Sequence, residues 1–209
     1  MTALLAPLRP PPLKEWWRRL ALRGTHYADL PRRLDRLYLV EDPWALDTPK
    51  EEARFAWTNR IIAAQLAPLG RILEIGCGEG HQSRHLATLC ERLYGIDVSR
   101  RAVRRARRRC PTARFVAGDP FGLAPELPAP FDLVVACEVL YYVKDVPRFL
   151  AQMTALGRAC LVTYYGGQAP ALDPYFTGFA GCSRESFRCD GTEWQAVWWR
   201  SAAPEGAAA

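Results

Sequence analysis

Between Leu73 and Gly80 the chain reads L-E-I-G-C-G-E-G, an apolar run that breaks into three glycines at 76, 78 and 80. Such a loop lets a ligand come close to main-chain N–H groups and to the first turn of a helix, where anionic and nucleotide groups are commonly held. Two further acids close the strand-like runs that follow. Asp97 ends "YGID", 19 residues beyond Gly78, and Asp119 ends "VAGD". A carboxylate at position 97 is placed to accept both hydroxyls of a ribose.

A second set of residues suits acceptor chemistry. Glu138, Tyr141 and Tyr142 leave the C-terminal end of "FDLVVACEVLYYV" (131–143), the most continuous apolar run in the chain. Open α/β sheets bind ligands at that end of their strands. Glu138 is suited to attract an ammonium or take its proton, and the tyrosines offer apolar walls with a polar tip. Tyr164 and Tyr165 end the adjacent strand-like run and are expected as the opposite wall. Trp44 and His26 are expected to reach the pocket from the N-terminal segment. His81 and His85, four residues apart in a helical pattern, resemble a ligand pair, but no third ligand has recognisable spacing, so no metal is expected.

The elements that must position these groups alternate from Arg71 onward. "RILEIG", "RLYGID", "RFVAGD", "FDLVVA" and "RACLVTYY" read as strands, with helical patterns between them, including Val146, Phe149, Leu150, Met153 and Leu156. This is a doubly wound α/β sheet. "SFRCDGTEWQAVWWR" adds two strand-like runs joined by Asp190-Gly191, a two-residue hairpin signal. Upstream, Thr48 suits a helix N-cap, Pro49 the first helical position and Glu51 a capping box, with Pro68 beyond the helix end. Residues 1–47 form a helical cap or lid, 48–200 the sheet domain, and 201–209 a frayed tail.

Composition bounds the rest. Hydrophobic residues make up 49% of the 209, and no stretch approaches the roughly 20 apolar residues of a membrane span. Seven scattered cysteines without a C-x-x-C pair favour free thiols in a reducing cytoplasm. The net charge of +6 is local in origin. Seven arginines lie between Arg100 and Arg109, without which the balance would be −1, and Val103, Ala106 and Cys110 give that segment a narrow apolar stripe. A solvated helix face is the simpler reading, and an RNA-binding role rests on this helix alone. No nucleic-acid partner is expected, and the oligomeric state is left open.

NAD and S-adenosylmethionine both fit a glycine loop followed by Asp97. Three features separate them. The dinucleotide fingerprint needs its third glycine at 81, where this chain has His. Glu74 stands two residues before the first glycine. About 40 residues after the fifth strand are too few for a second nucleotide half and a substrate domain. With "EIGCGEG", Asp97 in "YGIDVS" and Asp119 in "VAGDPF", the chain resembles class I S-adenosylmethionine-dependent methyltransferases over roughly residues 60 to 200. The resemblance implies a Rossmann-like seven-stranded sheet of order 3-2-1-4-5-7-6 with the last strand antiparallel. It also implies S-adenosylmethionine held by Glu74, Gly76, Cys77, Gly78, Gly80, Asp97, Val98, Asp119, Pro120, Phe121 and Glu138. In that scheme Asp97 holds the ribose, Asp119 the adenine amino group, and the glycine loop the methionine end.

"EDPWALDTPKEEARF" and "CEVLYYV" further resemble the nodulation protein S group of N-methyltransferases, which modify an amino-sugar oligosaccharide. Pro43-Trp44, Glu138-Val139 and Tyr141-Tyr142 carry that likeness. "VTYYGG" departs from the group's His-Trp at the fifth strand, and the connection 166–182 is short for it. The Asn/Asp-Pro-Pro-Tyr of amide and adenine methyltransferases is replaced here by Cys137-Glu138-Val139-Leu140. The expectation is methyl transfer to a small-molecule amine, with Glu138, Tyr141 and Tyr142 catalytic. The alternatives are an O- or S-methyltransferase of a small metabolite, and an RNA-binding methyltransferase or binding module using the arginine helix.

Overall fold

The computed structural model describes residues 31–122, 127–177, 179 and 181–201, together with Leu13 and Trp16. The helices are α1 (Pro31–Leu37), α2 (Pro49–Gln65), α3 (Ser83–Leu86), α4 (Arg100–Arg109), α5 (Val146–Leu156) and α6 (Ala169–Leu172). The strands are β1 (Arg71–Ile75), β2 (Arg92–Asp97), β3 (Arg114–Ala117), β4 (Leu133–Cys137), β5 (Ala159–Tyr165), β6 (Ser183–Cys189) and β7 (Thr192–Arg200). They form one sheet of order 3-2-1-4-5-7-6. β1 to β5 are parallel, and β7 runs antiparallel to both β5 and β6. The hairpin turn is Asp190-Gly191, both at positive φ (47° and 69°), as a two-residue turn between twisted strands requires.

Parallel strands covered on both faces need apolar residues at every position. β4 meets that demand: Val134 and Ala136 pack with Leu150 and Met153 of α5, while Leu133 and Val135 pack with Ile61 and Ile62 of α2. On α4 the expected stripe of Val103, Ala106 and Cys110 is buried, joined by Ala102. Ser99 caps that helix by accepting from the Ala102 N–H at 3.1 Å.

Helix α2 starts as its sequence requires, with Thr48 Oγ1 accepting from the Glu51 N–H at 3.4 Å. The reciprocal half of the box is replaced, because the Glu51 carboxylate accepts from Arg54 Nε at 2.7 Å. α2 also crosses to the far edge of the sheet. Trp57 Nε1 donates to Glu185 of β6 at 2.8 Å, and its ring stacks on Phe187 at 5.2 Å. At the opposite edge Arg107 of α4 donates to the Phe115 carbonyl of β3 at 2.7 Å.

Several sequence expectations are corrected. The helical pattern after the glycine loop yields only the four-residue α3, because the chain turns at His81 and Gln82. His81 lies before that helix and His85 within it, so they do not share a helix face. Ser201, expected in a frayed tail, is anchored, its N–H donating to the Arg158 carbonyl and its hydroxyl to the Thr154 carbonyl, both at 2.9 Å. The end of the cap segment is part of the folded core, with Leu37 and Tyr38 buried and Asp35 accepting from Ser99 Oγ at 2.7 Å. His26, the rest of the cap before Pro31 apart from Leu13 and Trp16, and residues 202–209 lie outside the described residues. Among the described residues, no helix is long and apolar enough to cross a membrane.

Candidate active site

A cleft of about 580 Å³ opens over the C-terminal ends of β1, β2 and β4. That volume falls in the range of small-molecule sites. Its floor is the glycine loop. Gly76 adopts φ +76°, and a side chain there would meet Val139 Cγ2 at 2.4 Å. Only glycine lets the loop after β1 pass so close to the chain leaving β4. Gly80 has a different task. It does not line the cleft, and its Cα faces α4 so closely that a side chain would meet Ala106 Cα at 3.0 Å. Of the expected cofactor-binding glycines it is the one that seats the arginine helix.

Asp97 ends β2 under the loop. One carboxylate oxygen accepts from the Gly78 N–H at 2.9 Å and the other from the Ser99 N–H at 2.8 Å. Burial pushes its carboxyl up to about 6, outweighing those two donors. Each oxygen keeps acceptor capacity for a diol. Glu74, on β1 below, is pushed up to about 8 by burial, against the hydrogen bond that Ser83 Oγ donates to it. Val98, Asp119, Pro120 and Phe121 line the cleft beyond Asp97. Asp119 is exposed at the mouth, its carboxylate accepting from the Phe121 and Gly122 N–H groups at 3.3 and 3.2 Å.

The far end is built around Glu138, which adopts φ +59°, an uncommon conformation for a residue with a side chain. Its N–H is tied to the Thr163 carbonyl at 2.9 Å. Tyr141 donates to Oε2 at 2.6 Å and Thr163 Oγ1 to Oε1 at 3.0 Å, while the Tyr165 N–H donates to the Tyr141 hydroxyl. Burial raises the Glu138 carboxyl, with the Arg54 charge and the two hydroxyls opposing. Tyr142 packs beside Tyr141 and against Trp44 at 5.7 Å, and Trp44 Nε1 donates to Tyr38 at 3.3 Å. Trp44, Tyr141, Tyr142 and Glu138 thus share one wall of the cleft.

The expected opposite wall is not there. Tyr164 is fully buried on the other face of β5, stacked with Phe176, its hydroxyl donating to Asp173 at 2.6 Å. Tyr165 is exposed outside the cleft and contributes only its main-chain N–H. Strand alternation sends neighbouring side chains to opposite faces, so both could not have faced the cleft. Trp194 of β7 lines it instead.

Sequence reasoning also missed Arg54, Tyr38 and Glu79. Arg54 falls on the buried stripe of α2 with Phe55, Thr58, Ile61 and Ile62, and a charge at helical spacing among apolar residues was the available signal. Glu79 is buried and joined to the arginine helix. It accepts from Arg105 and from the Asp42 N–H at 2.9 Å, with Arg109 at 3.9 Å. Asp42, Glu79 and His81 place potential ligand atoms within 4.8 Å of one another. Two guanidinium groups already neutralise Glu79, so this cluster is an ion-pair network joining cap, glycine loop and α4. His81 beside it is held neutral by burial and by the Arg109 charge, which lower its affinity for a proton.

Residues 73–158 match the family model described as a methyltransferase domain. Nodulation protein S of Bradyrhizobium diazoefficiens is 36% identical over 135 residues, covering 59% of each chain. Nodulation protein S of Rhizobium tropici is 36% identical over 133 residues, covering 62% of this chain and 55% of its own. The chain thus spans a little over half the length of the curated relatives it matches. Among solved structures, N-methyltransferase NodS from Bradyrhizobium japonicum WM9, in complex with S-adenosyl-L-homocysteine, superposes with a TM-score of 0.67 at 24% identity, covering 83% of this chain and 98% of that one. The fold is that of class I methyltransferases, and the resemblance to nodulation protein S holds in sequence and in structure.

Proposed function

We propose that this chain is an S-adenosylmethionine-dependent methyltransferase that methylates a small molecule at an amine. One observation carries the reading: a single cleft joins the glycine loop and a diol-ready Asp97 at one end to a raised, side-chain-held carboxyl, Glu138, at the other. The residues fit the cofactor. Main-chain N–H groups and Asp97 suit its ribose and amino-acid portions, and Pro120 and Phe121 give an apolar seat for a base. When bound, S-adenosylmethionine supplies a methyl group on a sulfonium, a leaving group needing no further activation.

What the protein must then do is orient and deprotonate the acceptor in a dry space. Glu138 takes the proton from the acceptor's ammonium, freeing the nitrogen lone pair that forms the new N–C bond. Its raised proton affinity suits a general base better than an ordinary carboxylate. Tyr141 and Thr163 fix its two oxygens, so the remaining lone pairs point where the chain allows. Trp44 and Tyr142 give the acceptor an aromatic wall and exclude water. The similarity to an N-methyltransferase supports nitrogen over oxygen or sulfur, and the seven free thiols support action in the cytoplasm.

Titration calorimetry with S-adenosyl-L-homocysteine and with NADH tests the cofactor. Binding of the first alone is expected, and a preference for NADH overturns the reading. Mass spectrometry of a panel of small amines, alcohols and thiols incubated with S-adenosylmethionine then reads the acceptor. Methylation confined to alcohols or thiols would remove Glu138 from the role of ammonium base.

A further inference from the structure

Residues 1–40 hold eight Lys or Arg against three acids. Within them Leu13, Trp16, Trp17 and Leu20 fall at i, i+3, i+4 and i+7, with Lys14, Arg18 and Arg19 outside that stripe. The spacing is that of a basic amphipathic helix. Leu13 and Trp16 are helical and lie 82% and 53% exposed. A single exposed leucine is ordinary, but a leucine and a tryptophan one turn apart make an apolar helix face left uncovered. Leu39, just beyond α1, is 54% exposed, and Arg36 before it is exposed as well.

This stretch is tied to α4. Asp35 pairs with Arg101, and the Val40 carbonyl accepts from Arg105 at 3.0 Å. On α4 the arginines divide into two rows. Arg101, Arg105 and Arg109 bond to Asp35, Glu79 and the Glu79 carbonyl. Arg100, Arg104 and Arg108 form the neighbouring row, which is exposed and meets no acid among the described residues. Like charges at i, i+4 repel, and α4 has no acid in its first turn to answer its dipole. An anion from outside the chain would relieve that cost.

Leu39 and the exposed arginines, on packed elements, set an apolar side chain beside unpaired guanidinium groups. Leu13 and Trp16 add an apolar helix face within a basic stretch. That combination suits a lipid surface, where cations stay with the phosphates and Leu and Trp enter the boundary of the acyl chains. A nucleic acid would use the guanidinium groups and leave the leucines in water. We propose that this protein docks peripherally on an anionic membrane surface through Leu13, Trp16 and Leu39 together with the exposed arginine row of α4. Two kinds of contact are needed, because one short apolar face or a few charges alone hold only weakly. Leu34 and Tyr38 line the cleft, so the docking face and the cleft are two sides of one short stretch of chain.

Flotation of the full chain tests this, with vesicles of phosphatidylcholine alone and of phosphatidylcholine and phosphatidylglycerol in equal amounts. Thermal melts report folding. Binding to the mixed vesicles alone is expected, most of it lost at about 0.5 M salt. Arg100→Gln, Arg104→Gln and Arg108→Gln combined should weaken it on the order of 100-fold. Trp16→Ser should weaken it roughly tenfold. Absence of binding to mixed vesicles, equal binding to both kinds, or wild-type binding by either folded variant overturns the inference. A short single-stranded RNA is run in parallel, and capture of RNA without capture of vesicles makes the basic row a nucleic-acid surface instead. Where the triple variant fails to fold, Arg104→Gln decides: a loss of about fivefold supports the inference and no loss overturns it. Leu13→Ser stands in for Trp16→Ser on the same terms.

Discussion

Asp97 and Glu138 each close a central parallel strand and each present an acid to the same cleft, but they are held by different means. Asp97 is fixed by two main-chain N–H groups, those of Gly78 and Ser99. Glu138 is fixed by two side-chain hydroxyls, Tyr141 and Thr163, on a backbone in the left-handed region. Main-chain donors come with the strand-loop-helix geometry and do not depend on side-chain identity. The Asp97 end is thus built to do one thing, which suits an invariant cofactor. The Glu138 end depends on particular side chains and carries local strain, a pattern associated with functional positions and with sites that can be retuned. The difference teaches where to look for substrate choice: at the side-chain-held end.

The largest effect is expected at the backbone-held acid. Asp97→Ala removes the proposed ribose acceptor and strands two N–H groups, and should weaken S-adenosyl-L-homocysteine binding by about 3 kcal/mol in calorimetry. An unchanged affinity would erase the contrast between the two acids. Glu138→Gln keeps the shape but not the proton acceptor, and kcat/KM for an amine should fall roughly 10²-fold. Cofactor affinity measured alongside should move much less, and an equal loss in both would make Glu138 a cofactor residue. Glu74 separates burial from chemistry. Its folded-state carboxyl, at about 8, lies above the ordinary value of 4.5, so the folded chain holds a proton that the unfolded chain releases. Stability should fall as pH rises between those values and level off above, and Glu74→Gln should flatten the fall. Urea unfolding at about pH 5 and pH 8 should show a difference of about 3 kcal/mol. The smallest effects divide the arginine helix itself. Arg105→Gln loosens buried Glu79 and should cost about 1 kcal/mol of stability, whereas exposed Arg108→Gln should stay within about 0.5 kcal/mol by thermal melt.

That helix shows how much the sequence could convey. Its apolar stripe was legible because it is local and periodic. A solvated face was the simpler reading of its arginines, yet Arg101, Arg105, Arg107 and Arg109 bond to Asp35, Glu79, Phe115 and the Glu79 carbonyl. Those acceptors lie on other elements, and spacing along one helix carries no trace of them. The alternation of the sheet and its closing hairpin were legible from five apolar runs and an Asp-Gly turn, while the order of the strands came from the family resemblance. On the cleft side, Asp97, Glu138 and the tyrosine pair were found because strand ends point to the cleft. Tyr164 and Tyr165 were misplaced because which of two adjacent residues faces inward depends on a register that only the packed sheet reveals. Arg54 went unnoticed because spacing along one helix does not tell a charge that faces a cleft from one that faces solvent.

Trp57 on Glu185 and Arg107 on the Phe115 carbonyl have a consequence for association. An open sheet of this kind has two margins, and an unguarded margin invites another chain to add a strand. Here β3 is four residues long, with a guanidinium seated on one of its carbonyls, and β6 presents Arg184, Glu185 and Arg188 with α2 strapped across it. Growth of the sheet from one molecule into the next is discouraged on both sides, which favours helices and loops as the surfaces for any self-association.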